Sequence, residues 1–296
     1  MAFVEQLISN LLYGAILGSV YGLATMGLSL IFGVLRIVNV GHGAFIMVGA
    51  FIAYWMFTLY GVPPLASLVL AIAVGMVLGL VVYMLVVRRL IDAPELASLL
   101  AMFAIGIFIE EFAKQIWGAD YVGYSWELGG VSMLFTEVPF TKLLAFGSSI
   151  VIAAAVYAWF KKTKIGKAVR AVVEDREGAM TCGIDVNRIY ALSFSLGIGL
   201  TVLSGVLVTL FTPVGINVYM GGEYTLKAFV IAVLGGLASP WGAFYAGFIF
   251  GLIENGSYTL LGLIPGVEPF GLTRFLSFVV LMLVLLIKPT GLLGGE

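Results

Sequence analysis

IVNVGHGAFIMVGAFIAYWMFTLYGVPPLASLVLAIAVGMVLGLVVYMLVV, residues 37–87, runs 51 residues without an Asp, Glu, Lys or Arg. A second run, residues 6–35, covers another 30. A charged side chain at the centre of a bilayer costs roughly 2.5–3.5 kcal/mol on insertion scales, so lipid selects for such runs and water does not. Composition agrees, with only 10% charged residues against about a quarter in soluble domains. The chain reads as an all-α polytopic membrane protein, one membrane domain over residues 1–296.

A helical crossing needs about 20 apolar residues. Segments 7–33, 44–60, 65–87, 96–117, 143–160, 189–211, 226–261 and 275–287 qualify. Gly61-Val62-Pro63-Pro64 is a tight turn between two crossings. Segment 226–261 is too long for one helix, and Gly235-Gly236 and Ser239-Pro240 interrupt it, so it divides in two. The expectation is nine segments, with eight left open. The first apolar stretch is too long for a signal peptide and lacks a basic leader, so it is expected to stay as a helix.

Lys and Arg set the orientation. Arg88-Arg89 and Lys161-Lys162-Thr163-Lys164 mark cytoplasmic ends, which places the N-terminus outside and Arg36 near the inside. Nine segments then put Lys288 and the C-terminus inside. The outer loop 118–141 carries Asp120, Glu127 and Glu137 and no Lys or Arg before position 142. Glycines recur four apart at Gly14, Gly18 and Gly22, at Gly75 and Gly79, and at Gly247 and Gly251. That spacing lets helix backbones approach closely in lipid.

Several chemistries drop out. The single Cys182 and single His42 build neither a disulfide framework nor a Cys- or His-rich metal site, and no charge run suits nucleic acid. The spans hold no paired carboxylates and no Ser/His arrangement, so a membrane-embedded enzyme ranks last.

Loop 161–188 gathers 11 of the chain's 31 charged residues. Within it, residues 165–175 read as a short amphipathic helix, with Val169, Val172, Val173 and Met180 on one face. Gly183 is the expected stop. Periodicity alone leaves two readings, a helix resting on lipid headgroups or one that docks a partner. Gly166-Lys167 is followed by Ala168, with Lys161 where the first glycine of a phosphate loop would stand, so no Walker A site is present.

Gly166-Lys167-Ala168-Val169-Arg170-Ala171, Glu174-Asp175, Ala179-Met180, Gly183-Ile184 and Gly205-Val206-Leu207 together resemble the LivH-type permease subunits of branched-chain amino acid ABC importers. The same holds for Asn39-Val40-Gly41-His42-Gly43 with Met47-Val48-Gly49-Ala50, for residues 233–251, and for the terminal stretch 288–294. The resemblance implies the ABC importer permease fold in a bacterial inner membrane. It implies a second, LivM-type permease chain, two cytoplasmic ATPases that hydrolyse ATP, and a periplasmic binding protein that delivers the substrate. This chain would hold no cofactor of its own. The resemblance also implies that the cytoplasmic loop seats on the ATPase, with Gly166, Arg170, Glu174 and Asp175 in that role.

Two interrupted helices are the candidate translocation path. Asn39, Gly41, His42 and Gly43 break the first uncharged run, and the interruption around Ser239 is followed by Gly242-Ala243-Phe244, echoing Gly43-Ala44-Phe45. Irregular backbone at membrane depth persists only where protein or a water-filled cavity satisfies it, and paired breaks point to a path. Helix N-termini starting near Gly43 and Trp241 would favour a passing carboxylate. Kinks satisfied by neighbouring helices are the competing reading. Glu254 is the only carboxylate between Ala228 and Gly266; it is either functional or close enough to the outer surface to reach water. An ion-coupled secondary carrier is the alternative function, with Glu254 and His42 as its few buried ionisable groups. Replacing Gly43 with Leu is expected to block uptake without loss of expression.

Overall fold

The computed structural model describes residues 2–133, 136–212, 215–264, 269–288 and 291. Of the C-terminal stretch 288–294, only Lys288 and Gly291 are among them. Every apolar segment read from the sequence is helical. Helix α1 (Ala2–Leu35) leads to α2 (His42–Tyr60), α3 (Pro64–Leu85) and α4 (Glu95–Trp117). After an outer loop come α5 (Phe140–Lys162), the short pair α6 (Lys164–Glu174) and α7 (Arg176–Thr181), and α8 (Val186–Val208). The chain ends with α9 (Gly221–Gly235), α10 (Pro240–Leu261) and α11 (Pro269–Ile287).

The expected eight or nine crossings are not reproduced as independent spans. Among the described residues six helices, α1 to α5 and α8, are long and apolar enough to cross alone. Helices α9 and α10 meet at a bend of 113°, and the pair counts as at most a seventh span. The apolar part of α11 within the described residues is a shorter stretch, Gly271–Val284. Helix α9, at 15 residues, spans only about 22 Å at 1.5 Å per residue, short of a full crossing. The outer loop also departs from an all-helical reading. It carries an antiparallel hairpin, β1 (Gly130–Met133) with β2 (Thr136–Pro139), pairing Val131 with Val138. The Tyr13 hydroxyl of α1 donates to the Glu137 carbonyl at 2.8 Å and ties the hairpin to the helical body.

Turn chemistry sets the hinge between α2 and α3. Gly61 adopts φ 64°, its N–H bonds the Phe57 carbonyl, and Pro63-Pro64 starts the next helix. A left-handed residue closing a helix is where glycine costs least.

The core centres on α1 and α8, which neighbours cover on most sides, while α3, α4 and α5 expose broad apolar faces. The spaced glycines make the contacts. Gly14, Gly18 and Gly22 of α1 lie against Gly251, Gly247 and Phe244 of α10. A β-carbon at Gly75 would sit 2.8 Å from the Gly199 Cα, and one at Gly79 would sit 2.8 Å from the Ser195 Cα. Small residues are what permit such approach where lipid offers no hydrophobic drive for association.

Candidate functional site

The charged segment 161–188 holds two short helices rather than one. Thr163 caps α6, accepting from the Gly166 N–H at 3.0 Å while its own hydroxyl donates to the Trp159 carbonyl at 2.7 Å. At Asp175 the backbone turns extended (φ −149°), and its carboxylate caps α7 by accepting from the Glu177 N–H at 3.0 Å. Gly183, at φ 79°, stops α7, with Ile184 N–H bonded to the Ala179 carbonyl. Gly166, Val169, Val172 and Ala179 form the buried face against the C-terminal end of α1 and the N-terminal end of α8, which include Val34, Leu35, Val186, Ile189 and Tyr190. Val173 and Met180, expected on that face, are exposed instead; the break at Asp175 resets the helical phase ahead of Met180.

The residues expected to engage an ATPase divide into two kinds. Gly166 packs on the Phe160 backbone, and the Arg170 guanidinium donates to the Phe160 carbonyl, so both fasten α6 to the end of α5. Asp175 is a cap. Glu174 is exposed and free of any such structural duty. Arg176 bonds Asp92 at 2.9 Å, joining α7 to the loop before α4, and that carboxylate raises the guanidinium pKa. Replacing Asp175 with Ala should cost about 1 kcal/mol, the usual worth of an N-cap. Faster proteolysis of the loop, with the helical body unchanged, is the expected readout.

The first break lies deep in the protein. Asn39 and His42 are fully buried, and neither polar atom of the Asn39 side chain has a hydrogen-bond partner. His42 Nδ1 stands 3.4 Å from the Thr201 hydroxyl, and Nε2 is unpartnered. Gly41 abuts Gly106 and the Met102 carbonyl of α4. Gly43 lies against the Gly221 carbonyl, and its N–H donates to Thr225 Oγ1 at 2.8 Å. The start of α2 therefore meets the start of α9, with α4 and α8 around them.

The second break is elsewhere, at the end of the bundle that α6 covers. Ser239 caps α10, accepting from the Gly242 N–H at 3.0 Å, and Pro240 takes the first helical position. Gly236 turns at φ 91°, Gly235 packs on Gly242, and Gly291 from the C-terminal end folds over Gly236. The neighbouring Ala238 touches Gly33 at the end of α1. A cleft of about 590 Å³ opens here between Ser29, Leu30, Val34, Phe160, Lys161, Arg170, Glu174 and Trp241. The structure thus joins Arg170 and Glu174 to the second break, and it leaves the first break apart from both.

Glu254 has a partner that the sequence reading missed. Lys227 of α9 places its ammonium 2.8 Å from Glu254 Oε1, 3.1 Å from Glu223 Oε1 and 2.9 Å from the Tyr21 hydroxyl. The Lys227 and Glu254 side chains are both largely buried. Glu254 is thus engaged by a cation from the neighbouring helix, with a small part of its side chain left exposed. The signal that could have found Lys227 is the Glu223–Lys227 spacing of four, an ion-pair register on a helix. It stood at the edge of an apolar run, where a charge reads as a terminus.

The family described as "Branched-chain amino acid transport system / permease component" matches residues 10–285. The LivH permease protein of the high-affinity branched-chain amino acid transport system of Salmonella typhimurium is 28% identical, over 99% of this chain and 96% of its own. A probable branched-chain amino acid transport permease protein LivM of Methanocaldococcus jannaschii is 27% identical over 76% of this chain and 68% of its own. Among solved structures, a chain of PsaBC from Streptococcus pneumoniae in complex with Fab shares the fold, with a TM-score of 0.52 and 15% identity over 98% of this chain and 96% of that one. With apolar helices in the number and packing described above, this multi-pass membrane protein belongs to the branched-chain amino acid transport system permease family.

Proposed function

We propose that this chain is the inner-membrane permease subunit of an ATP-driven importer, forming the translocation path for branched-chain or related amino acids. In this reading a periplasmic binding protein delivers the substrate. A second permease of LivM type completes the path, and two cytoplasmic ATPases supply the energy. The single observation that carries the reading is the α6–α7 pair. Its apolar face is fixed to the cytoplasmic ends of α1, α5 and α8, and its outward face presents Lys164, Lys167 and Glu174. A force applied there is transmitted through Gly166 and Arg170 to α5 and through Val34 and Leu35 to α1. The path residues in this reading are Asn39, Gly41, His42, Gly43, Ser239 and Glu254. The chain itself works by conformational gating, with ATP chemistry left to its partners.

Glu174→Ala tests the coupling role without touching a cap or a buried contact. Co-purification with the ATPase subunits should fall at least fivefold while the melting temperature stays within 2 °C of the parent. Unchanged co-purification would count against this surface as the ATPase seat. An ion-coupled carrier is the second reading, and the buried Lys227–Glu254 pair is the observation that favours it. Uptake into vesicles on an ion gradient alone, without ATP, would select it.

A further inference from the structure

The charge cluster of α9 and α10 has a place but no role in the coupling scheme. Lys227 stands eight residues from the cytoplasmic end of α9 and Glu254 fourteen residues into α10, about 12 and about 21 Å along their helices at 1.5 Å per residue. Both lie away from the ends of the helix pair that together makes one candidate span. The exposed middle of α4 presents Leu99, Leu100, Phe103 and Ile107, as lipid requires. The α9 face presents the partly exposed Glu223 beside Lys227. Ionisable groups at that depth turn toward a protein partner or a water-filled path and away from acyl chains.

The geometry at Glu254 is more specific than a staple between helices. Oε1 holds the Lys227 ammonium, whereas Oε2 is buried and accepts no hydrogen bond from the described residues. A buried acceptor left unmade is costly, and a charged one more so. Glu254 borders a cavity of about 90 Å³, lined on its charged side by Glu223 and Lys227 and on its apolar side by Leu226, Phe250 and Phe278. That volume takes a head group of a few atoms, with the remainder of a ligand extending through the opening. A cationic donor next to aliphatic carbon is the chemistry that suits an anionic acceptor in an apolar wall. An amino acid has it; urea and simple amides lack the cation.

We infer that Glu254, held in orientation by Lys227 and Tyr21, receives the α-ammonium group of an apolar amino acid as it crosses the membrane. The inference rests on the transport reading above and narrows it to substrates that carry an ammonium group. A purely structural ion pair tolerates replacement by apolar residues of similar volume; a substrate contact does not.

The importer, reconstituted with its partner permease, ATPases and binding protein, is compared with its K227M/E254L counterpart for ATP-driven leucine uptake. Assembly should be unchanged and uptake should fall at least twentyfold; uptake within twofold of the parent would overturn the inference and leave the pair a staple. Should the double variant fail to assemble, a second measurement decides. Phe278→Cys, in a Cys182→Ser background, is labelled in the assembled importer with an ammonium-bearing methanethiosulfonate and with its neutral methyl analogue. Adding Glu254→Gln should slow the cationic reagent at least fivefold and leave the neutral one unchanged. Equal rates, or no labelling at all, would overturn the inference. An unmodified importer that takes up neither leucine nor any other amino acid its binding protein holds would instead sink the proposed function, and the labelling result would still decide what Glu254 attracts.

Discussion

Gly43→Ala should destabilise the purified protein by about 3 kcal/mol or more, the upper end of the cost of overpacking. The added methyl group would be driven into the Gly221 carbonyl and against the Thr225 side chain. Backbone cannot rotate aside as a side chain can, so α2 and α9 must separate, and the hydrogen bond from the Gly43 N–H to Thr225 Oγ1 goes with them. Gly147→Ala is the matching control. A β-carbon there meets nothing within 4 Å, and Ala in a helix interior is favoured over Gly by about 1 kcal/mol. Thermal unfolding in detergent should therefore shift down for position 43 and slightly up for position 147. A neutral Gly43→Ala would mean that the two helix starts are not in contact. The expectation that Gly43→Leu blocks uptake without loss of expression changes accordingly. Its loss of transport would come from a broken helix junction, and uptake alone would say nothing about a path at that point.

Lys227→Met should be the most damaging single charge removal, costing about 3–5 kcal/mol, because it strands Glu254 as a buried, uncompensated carboxylate. Adding Glu254→Leu should recover most of that loss, since an apolar pair avoids the desolvation of both ions. Thermal unfolding of the single and double variants tests this separately from any transport measurement. If the single variant melts within 2 °C of the parent, Glu254 must be reaching solvent or another cation.

The helices were legible because lipid forbids charge. The boundaries of the apolar segments fall close to the ends of α1 to α5, and the four-residue glycine spacing signalled close helix approach without naming the α1–α10 and α3–α8 pairs that make it. The misses have physical causes. Hydrophobicity measures solvent preference and says little about direction, so the 113° angle between the two halves of segment 226–261 could not be read from it. Asp175 looked like one more charge on an amphipathic helix, yet its short side chain competes for backbone N–H groups and starts a new helix. Lys227 was invisible as a partner of Glu254 because their pairing depends on how α9 folds back on α10. At the candidate site, the residue types at Asn39–Gly43 showed that a break exists, but only the packing placed Gly221 against it.

The glycine seam between α1 and α10 also dictates an order of events at the ribosome. Gly14 finds Gly251 only after roughly 240 further residues have been made, about 10–50 s at ordinary rates of synthesis. Throughout that interval the first helix must wait in the membrane with its seam open. A message cut short before position 240 would leave it permanently without its mate, an orphan groove for quality-control machinery to recognise.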